Sequence, residues 1–196
     1  MYKVKRSLVL LKRFWHSRGF GIQSPSAYRF VRYVINEHYP YYAYDELFQL
    51  YPNENKLTIK LCKLYFRIAN YAQAKRWGMC IDSDEYEQYS AYIQAGCHHT
   101  QVVDFTHGYN LLSMATSDVL LMTLENNWSE IFEAFVSHVH DSSILIVEDI
   151  YATKDTKKAW KQMVDDQRTV ITFDLYYCGI ILFDQTKTKQ HYIINF

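Results

Sequence analysis

The chain has 196 residues, 49% of them hydrophobic, and its 21 basic side chains balance its 21 acidic ones. That length fills one α/β core, and an apolar share this high with only three prolines and six glycines excludes a disordered chain. No apolar run reaches the length of a membrane-spanning helix.

The N-terminal stretch is the lopsided part of the charge pattern. Residues 1–36 carry Lys3, Lys5, Arg6, Lys12, Arg13, Arg18, Arg29 and Arg32 and no acid. Such an arm suits phosphates or an anionic surface. Val4, Leu8, Leu11, Phe14 and Trp15 recur at helical spacing among the charges. Docking on the acidic remainder of the chain, or on a second copy to give a homodimer through N-terminal helices, is therefore the preferred reading, and nucleic acid is not an expected partner. A glycine turn at Gly19-Phe20-Gly21 follows. A second helix then opens at Ser24-Pro25, where serine caps and proline takes the first helical position. The cluster Tyr39, Tyr41, Tyr42 and Tyr44 fits a pocket or interface lining, or packing at the core edge; packing is preferred. Residues 55–74 read as a helix with Leu57, Leu61, Leu64, Tyr65, Ile68 and Tyr71 on one stripe.

From Trp77 short apolar runs alternate with amphipathic segments. Strands are predicted over 77–81, 101–105, 118–124 and 143–148. Helices are predicted over 85–95, 128–139 and 154–164, with a short helix or turn at 109–115. This βα alternation implies a parallel sheet. Three further strands, 169–176, 179–183 and 191–196, have no helices between them and predict an antiparallel C-terminal edge formed by the last. The chain is expected to be one domain, with a helical part at 1–75 and a sheet part at 76–196.

Candidate chemistry concentrates at one strand end. Ile144 to Val147 form a continuous apolar run, as in a strand buried on both faces, and end in Glu148 and Asp149. Ligands of open parallel sheets sit beyond the carboxyl ends of the strands, so the two acids are either caps for the next helix or groups facing a ligand. The four cysteines, Cys62, Cys80, Cys97 and Cys178, form no C-x-x-C pair, and the apolar run at residues 8–11 is too short for a secretory signal. A reducing, cytoplasmic setting is expected. Cys97-His98-His99 lacks a fourth ligand and its three neighbours cannot all face one ion, so no metal site is expected. His107-Gly108 has no attendant serine or cysteine at an elbow, and a hydrolase is not supported.

The helical lead, the βα alternation, the acidic strand end and the antiparallel finish resemble the class I S-adenosylmethionine-dependent methyltransferase fold. The words GFGIQSPSAYRF, YYAYDEL, LYFRIANY and SSILIVEDIY through QHYIINF are similar to those of a family of Bacteroidetes methyltransferase-like proteins. The resemblance implies an α/β, Rossmann-like methyltransferase sheet, mostly parallel with an antiparallel C-terminal edge and preceded by N-terminal helices.

The same resemblance exposes departures. The fold calls for a glycine-rich turn after its first strand, because glycine lets the backbone approach the cofactor. After Ile81 no glycine occurs until Gly96, and Asp82, Asp84, Glu85 and Glu87 intervene. The chain also looks one βα unit short. The preferred alignment deletes the first strand and its loop, making Met79–Asp82 the second strand and placing Asp82 where the resemblance puts the ribose-binding acid; Asp104 is the other candidate. Thr123 stands where the family's strand ends in an aspartate facing the transfer site, and metal-dependent members need a carboxylate there. Glu148 and Asp149 then read as inherited acids that cap and hold loops. The leading expectation is a methyltransferase-like protein that binds no cofactor and serves a binding or structural role. The alternative is an active enzyme methylating a small-molecule acceptor from S-adenosylmethionine, with Asp82 or Asp104 at the ribose and Glu148 or Asp149 near the acceptor.

Overall fold

The computed structural model describes residues 21–52, 55–81, 84–106, 110–125 and 127–196. Residues 1–20, with most of the basic arm and the start of the glycine turn, lie outside these residues, as do Asp82 and His107-Gly108. Helix α1 (Pro25–Phe30) begins as its sequence dictates, with Ser24 extended and its side chain accepting the Ala27 amide, and Pro25 in the first turn. It continues into a π-helical turn, Val31–Ile35. Helix α2 spans Ala43–Leu50, and α3 spans Lys56–Ala72. Asn55 caps α3 through the Leu57 amide. The α3 stripe is buried through Leu61, Leu64, Tyr65 and Ile68. Tyr71, expected on that stripe, is 56% exposed and meets only the edge of the Phe30 ring, so the buried face stops one turn earlier.

The remaining elements are β1 (Arg76–Cys80), α4 (Tyr86–Gly96), β2 (Gln101–Asp104), α5 (Leu111–Ala115), β3 (Val119–Met122), α6 (Trp128–Val136), β4 (Ile144–Glu148), α7 (Lys154–Asp165), β5 (Ile171–Asp174), β6 (Cys178–Leu182) and β7 (Gln190–Ile193). They match the expected order, with element ends that coincide or shift by one to three residues in either direction. The seven strands form one sheet in the order β2-β1-β3-β4-β6-β5-β7. Strands β1 to β4 run parallel. The expected mostly parallel sheet with an antiparallel finish is present, but residues 191–196 do not supply the reversed strand. Strand β6 runs antiparallel to both β4 and β5, while β7 pairs in parallel with β5.

This order corrects the preferred alignment. In a doubly wound sheet the order reverses beside the first strand, where the chain steps from one flank to the other. Here β1 has β2 on one side and β3 on the other, so Arg76–Cys80 occupies the first-strand place. The unit that is missing lies at the outer edge beyond β2. An edge strand is lost at the expense of one ladder, whereas removing β1 would break two. Asp104 ends β2, the strand next to β1 on that flank.

Strands β3 and β4 are buried on both faces. Val119, Leu121, Ile144 and Ile146 face a layer made by α1, α3 and α4. Leu120, Met122, Leu145 and Val147 face the layer of α6 and α7. On that second face the Trp160 ring rests directly on Gly179: a Cβ at residue 179 would lie 2.3 Å from it. At the amino ends of the strands, Asp118 Oδ2 accepts the Lys75 and Arg76 amides at 2.8 and 2.9 Å. His140, placed between Asp118 Oδ1 and the Ser142 hydroxyl, extends that clasp to the loop before β4.

Candidate functional site

The carboxyl ends of β1 to β4 form the rim where a ligand of this fold would sit. Glu148 ends β4 with its side chain turned inward; the residue is 8% exposed. The Tyr65 hydroxyl, from α3, donates to Glu148 Oε1. The Tyr89 hydroxyl, from α4, lies close to the same carboxylate and favours its charged form. The two tyrosine rings meet edge to face at 5.1 Å. Burial pushes the Glu148 pKa up to about 7; the two hydroxyls pull it back and Asp149 adds to the rise. Burial, reinforced by Glu148, raises both tyrosines well above their ordinary range, so both hydroxyls stay protonated and donate. Cys62 and Cys178 also lie near this carboxylate. Burial holds their thiols protonated, which removes them as nucleophiles.

Asp149 separates from its neighbour. It adopts a left-handed backbone with φ of 54°, its amide donates to the Tyr177 carbonyl at 2.8 Å, and its side chain is exposed. Neither acid caps the next helix. Helix α7 is capped by Thr153, whose hydroxyl accepts the Thr156 amide while Thr156 returns a bond to the Thr153 amide. The capping role expected of Glu148 and Asp149 is corrected accordingly: one acid is buried among tyrosines and the other stands on the rim.

Asp104 is exposed at the end of β2 and accepts the Thr106 amide at 2.8 Å. Thr106 in turn donates to the Ile81 carbonyl, tying the β2 end to the β1 end. Cys80 lies between Asp104 and Glu125, and burial first, then these two acids, raise its thiol pKa. Thr123 joins the same rim through its amide, which donates to the Cys80 carbonyl. Among the described residues no group of three His, Cys, Asp or Glu side chains is placed to hold a metal ion. Cys97 is buried and its thiol reaches Gln73, while His98 and His99 are exposed in a turn.

The sequence reading did not name Tyr65 and Tyr89 as partners of Glu148, nor Asp174. Asp174 ends β5, is 1% exposed, and accepts the Tyr151 hydroxyl at 2.6 Å and the Tyr176 amide at 2.9 Å. Tyr151 and Tyr176 stack over it at 5.5 Å. A signal was present: the strands Gln101–Asp104, Ile144–Glu148 and Ile171–Asp174 each end in an acid.

Gly78 offers no cofactor turn. It lies inside β1, and a Cβ there would meet Phe105 and Ser117 at 2.8 Å, so its missing side chain serves packing. The turn itself runs into α4 through Asp84 and Glu85, with Glu87 in the first helical turn.

No protein-family profile matches the chain, and no curated protein matches its sequence. Solved structures do. A Podospora anserina methyltransferase with S-adenosylhomocysteine bound superposes with a TM-score of 0.51 at 11% identity, covering 83% of this chain and 97% of that one. MycE, a methyltransferase of mycinamycin biosynthesis, in complex with magnesium, S-adenosylhomocysteine and mycinamycin VI, gives 0.51 at 12% identity, covering 74% of this chain and 55% of that one. A Haemonchus contortus phosphoethanolamine N-methyltransferase bound to S-adenosylmethionine gives 0.44 at 11% identity over 60% of this chain and 36% of that one. The chain thus spans about half of MycE and about a third of the Haemonchus enzyme. The fold is methyltransferase-like.

Proposed function

We propose that this chain is a methyltransferase-like protein that no longer binds S-adenosylmethionine and acts in the cytoplasm as a binding or structural protein. One observation carries the reading: the segment between β1 and α4 has no glycine and carries Asp82, Asp84 and Glu85, and Glu87 follows in the first turn of α4. Cofactor binding at this turn depends on backbone amides approaching the ligand, and side-chain bulk with negative charge opposes that approach. The residues present do not fit the cofactor. The enclosure of Glu148 by Tyr65 and Tyr89 supports the same view, because a carboxylate satisfied by its own fold is withdrawn from the crevice.

The test is calorimetric titration of the full chain with S-adenosylmethionine and with S-adenosylhomocysteine. No saturable heat is expected. Binding with a Kd near or below about 10 μM, roughly −7 kcal/mol, would overturn the proposal.

A second reading is favoured by one specific feature, the Glu148 pKa of about 7. A base poised near neutrality suits removal of a proton from an acceptor hydroxyl or amine. In that reading the chain is an active methyltransferase on a small molecule, with Asp104 at the ribose and Glu148 or Asp149 beside the acceptor.

A further inference from the structure

A cavity of about 630 Å³ opens between the π-helical turn, the loop at 36–42, one face of α3 and the C-terminal residues Asn195 and Phe196. Its volume falls in the range of small-molecule sites. Helical spacing sets its character: Lys60, Lys63 and Arg67 share one face of α3, while Tyr65 points the opposite way to Glu148. Arg32, from the π-helical turn, adds a fourth cation, against the two lining carboxylates Glu37 and Asp45. One Glu37 oxygen is already engaged by the His38 and Tyr39 amides.

Arg67 is the informative member. It is 7% exposed, and it donates through Nε to the Val34 carbonyl at 2.6 Å and through an Nη to the Ile35 carbonyl at 3.1 Å. No described carboxylate forms an ion pair with it. A buried guanidinium held by neutral carbonyls, with the Tyr44 hydroxyl beside it, leaves positive potential in the cavity wall, which a bound anion would offset. Tyrosines and Phe196 supply the aromatic part of the lining. Tyr39, Tyr41 and Tyr44 form an edge-to-face ladder with centroids 5.1 and 5.3 Å apart, and Tyr39 remains 58% exposed. Lys63 rests over the Tyr44 ring at 4.8 Å and Lys60 over Phe196 at 4.1 Å.

We propose that this cavity is a binding site for a small aromatic anion, a planar ring bearing a phosphate or carboxylate. The ring stacks on the tyrosine ladder and the anionic group meets Arg32, Lys63 and Arg67. The site lies across α3 from Glu148 and stands independently of cofactor binding in the crevice. It supplies a ligand class for the binding role proposed above, and its failure would leave the cofactor titration unaffected.

The test titrates the full chain with phenyl phosphate, benzoate, inorganic phosphate and benzyl alcohol, followed by calorimetry and by NMR shifts. Saturable binding of phenyl phosphate or benzoate is expected, with inorganic phosphate and benzyl alcohol each at least about tenfold weaker, since each keeps only half of the recognition. Whichever aromatic anion binds tighter identifies the acidic group. Arg32→Gln and Lys63→Gln, whose side chains make no hydrogen bond or ion pair among the described residues, should each weaken that binding by about fivefold or more while shifting the melting temperature by no more than about 2 °C. Absence of saturation by both aromatic anions up to about 10 mM, or wild-type affinity in both variants, would overturn the assignment.

Discussion

The two faces of the sheet are built differently. The layer of α6 and α7 is packed with Phe132, Phe135, Trp160, Met163 and Phe183, side chains with little polar content. The layer of α1, α3 and α4 buries Tyr44, Tyr65, Tyr89 and Tyr92 in comparable positions. An aromatic ring gives either face its apolar area, but the second face must also accommodate the hydroxyls of its buried tyrosines. Tyr65 directs its hydroxyl to Glu148 with Tyr89 close by, so polar tips of this layer gather at the carboxyl end of β4. The difference teaches that Glu148 belongs to the tyrosine face, while the core of the other face is mainly steric in its demands.

The steric face should break first. Gly179→Ala places a methyl group against the Trp160 ring inside a strand paired on both edges. Overpacking of this kind costs about 3 kcal/mol, equivalent to a melting temperature lower by roughly 6–12 °C in a chain of this size. A variant melting within about 2 °C of the parent would show that the indole moves aside and that the face is softer than described.

The polar face should instead show a pH signature. Glu148 holds its proton in the folded state up to about pH 7, whereas an unfolded glutamate loses it near its ordinary value of 4.5. Between those values the native state binds the extra proton, so this residue's contribution to stability is full below about pH 4.5 and is lost as pH rises through about 7. Glu148→Gln has no such titration. Relative to the parent it should gain up to about 3 kcal/mol between pH 4.5 and pH 7 in urea unfolding experiments. A difference that stays constant across that window would mean the carboxylate is ionised throughout.

The smallest effects discriminate within the tyrosine layer itself. Tyr65→Phe removes a donor from the buried carboxylate and should cost about 1–2 kcal/mol, while moving the Glu148 pKa further up. Tyr92 is equally buried, but among the described residues its hydroxyl has no hydrogen-bond partner. Tyr92→Phe should therefore be neutral or stabilising by up to about 1 kcal/mol. Equal losses at the two positions, measured by denaturant midpoints, would show that ring packing and not the hydroxyl sets their worth.

What the sequence disclosed followed from local signals. The Ser24-Pro25 start, the Asn55 start and the apolar run of β4 all depend on residues near in sequence, and each was legible. The pairing of β7 was not. Three consecutive strands suggest hairpins, but the chain crosses β5 by placing β6 between it and β4, and β7 then has only the outer edge of β5 to join. The place of β1 was misread because counting strands cannot distinguish loss at the edge from loss at the centre. Glu148 and Asp149 were legible as a pair at a rim, yet their separation rests on the left-handed turn at Asp149 and on Tyr65 and Tyr89, which come from helices far away in sequence. Most of the basic arm and Asp82 lie outside the described residues.

The bond from Tyr65 to Glu148 joins residues 83 positions apart. Its donor belongs to the helical lead and its acceptor to the fourth strand, so neither segment can complete its own polar inventory. A chain severed between α3 and β1 would leave a tyrosine hydroxyl without its acceptor on one fragment and, on the other, a glutamate with Tyr89 but not Tyr65 beside it. During synthesis the same holds in time: α3 emerges long before β4, and its tyrosine must keep water as a partner until the strand arrives. Drying this one carboxylate therefore requires the helical lead and the sheet together, which couples their folding.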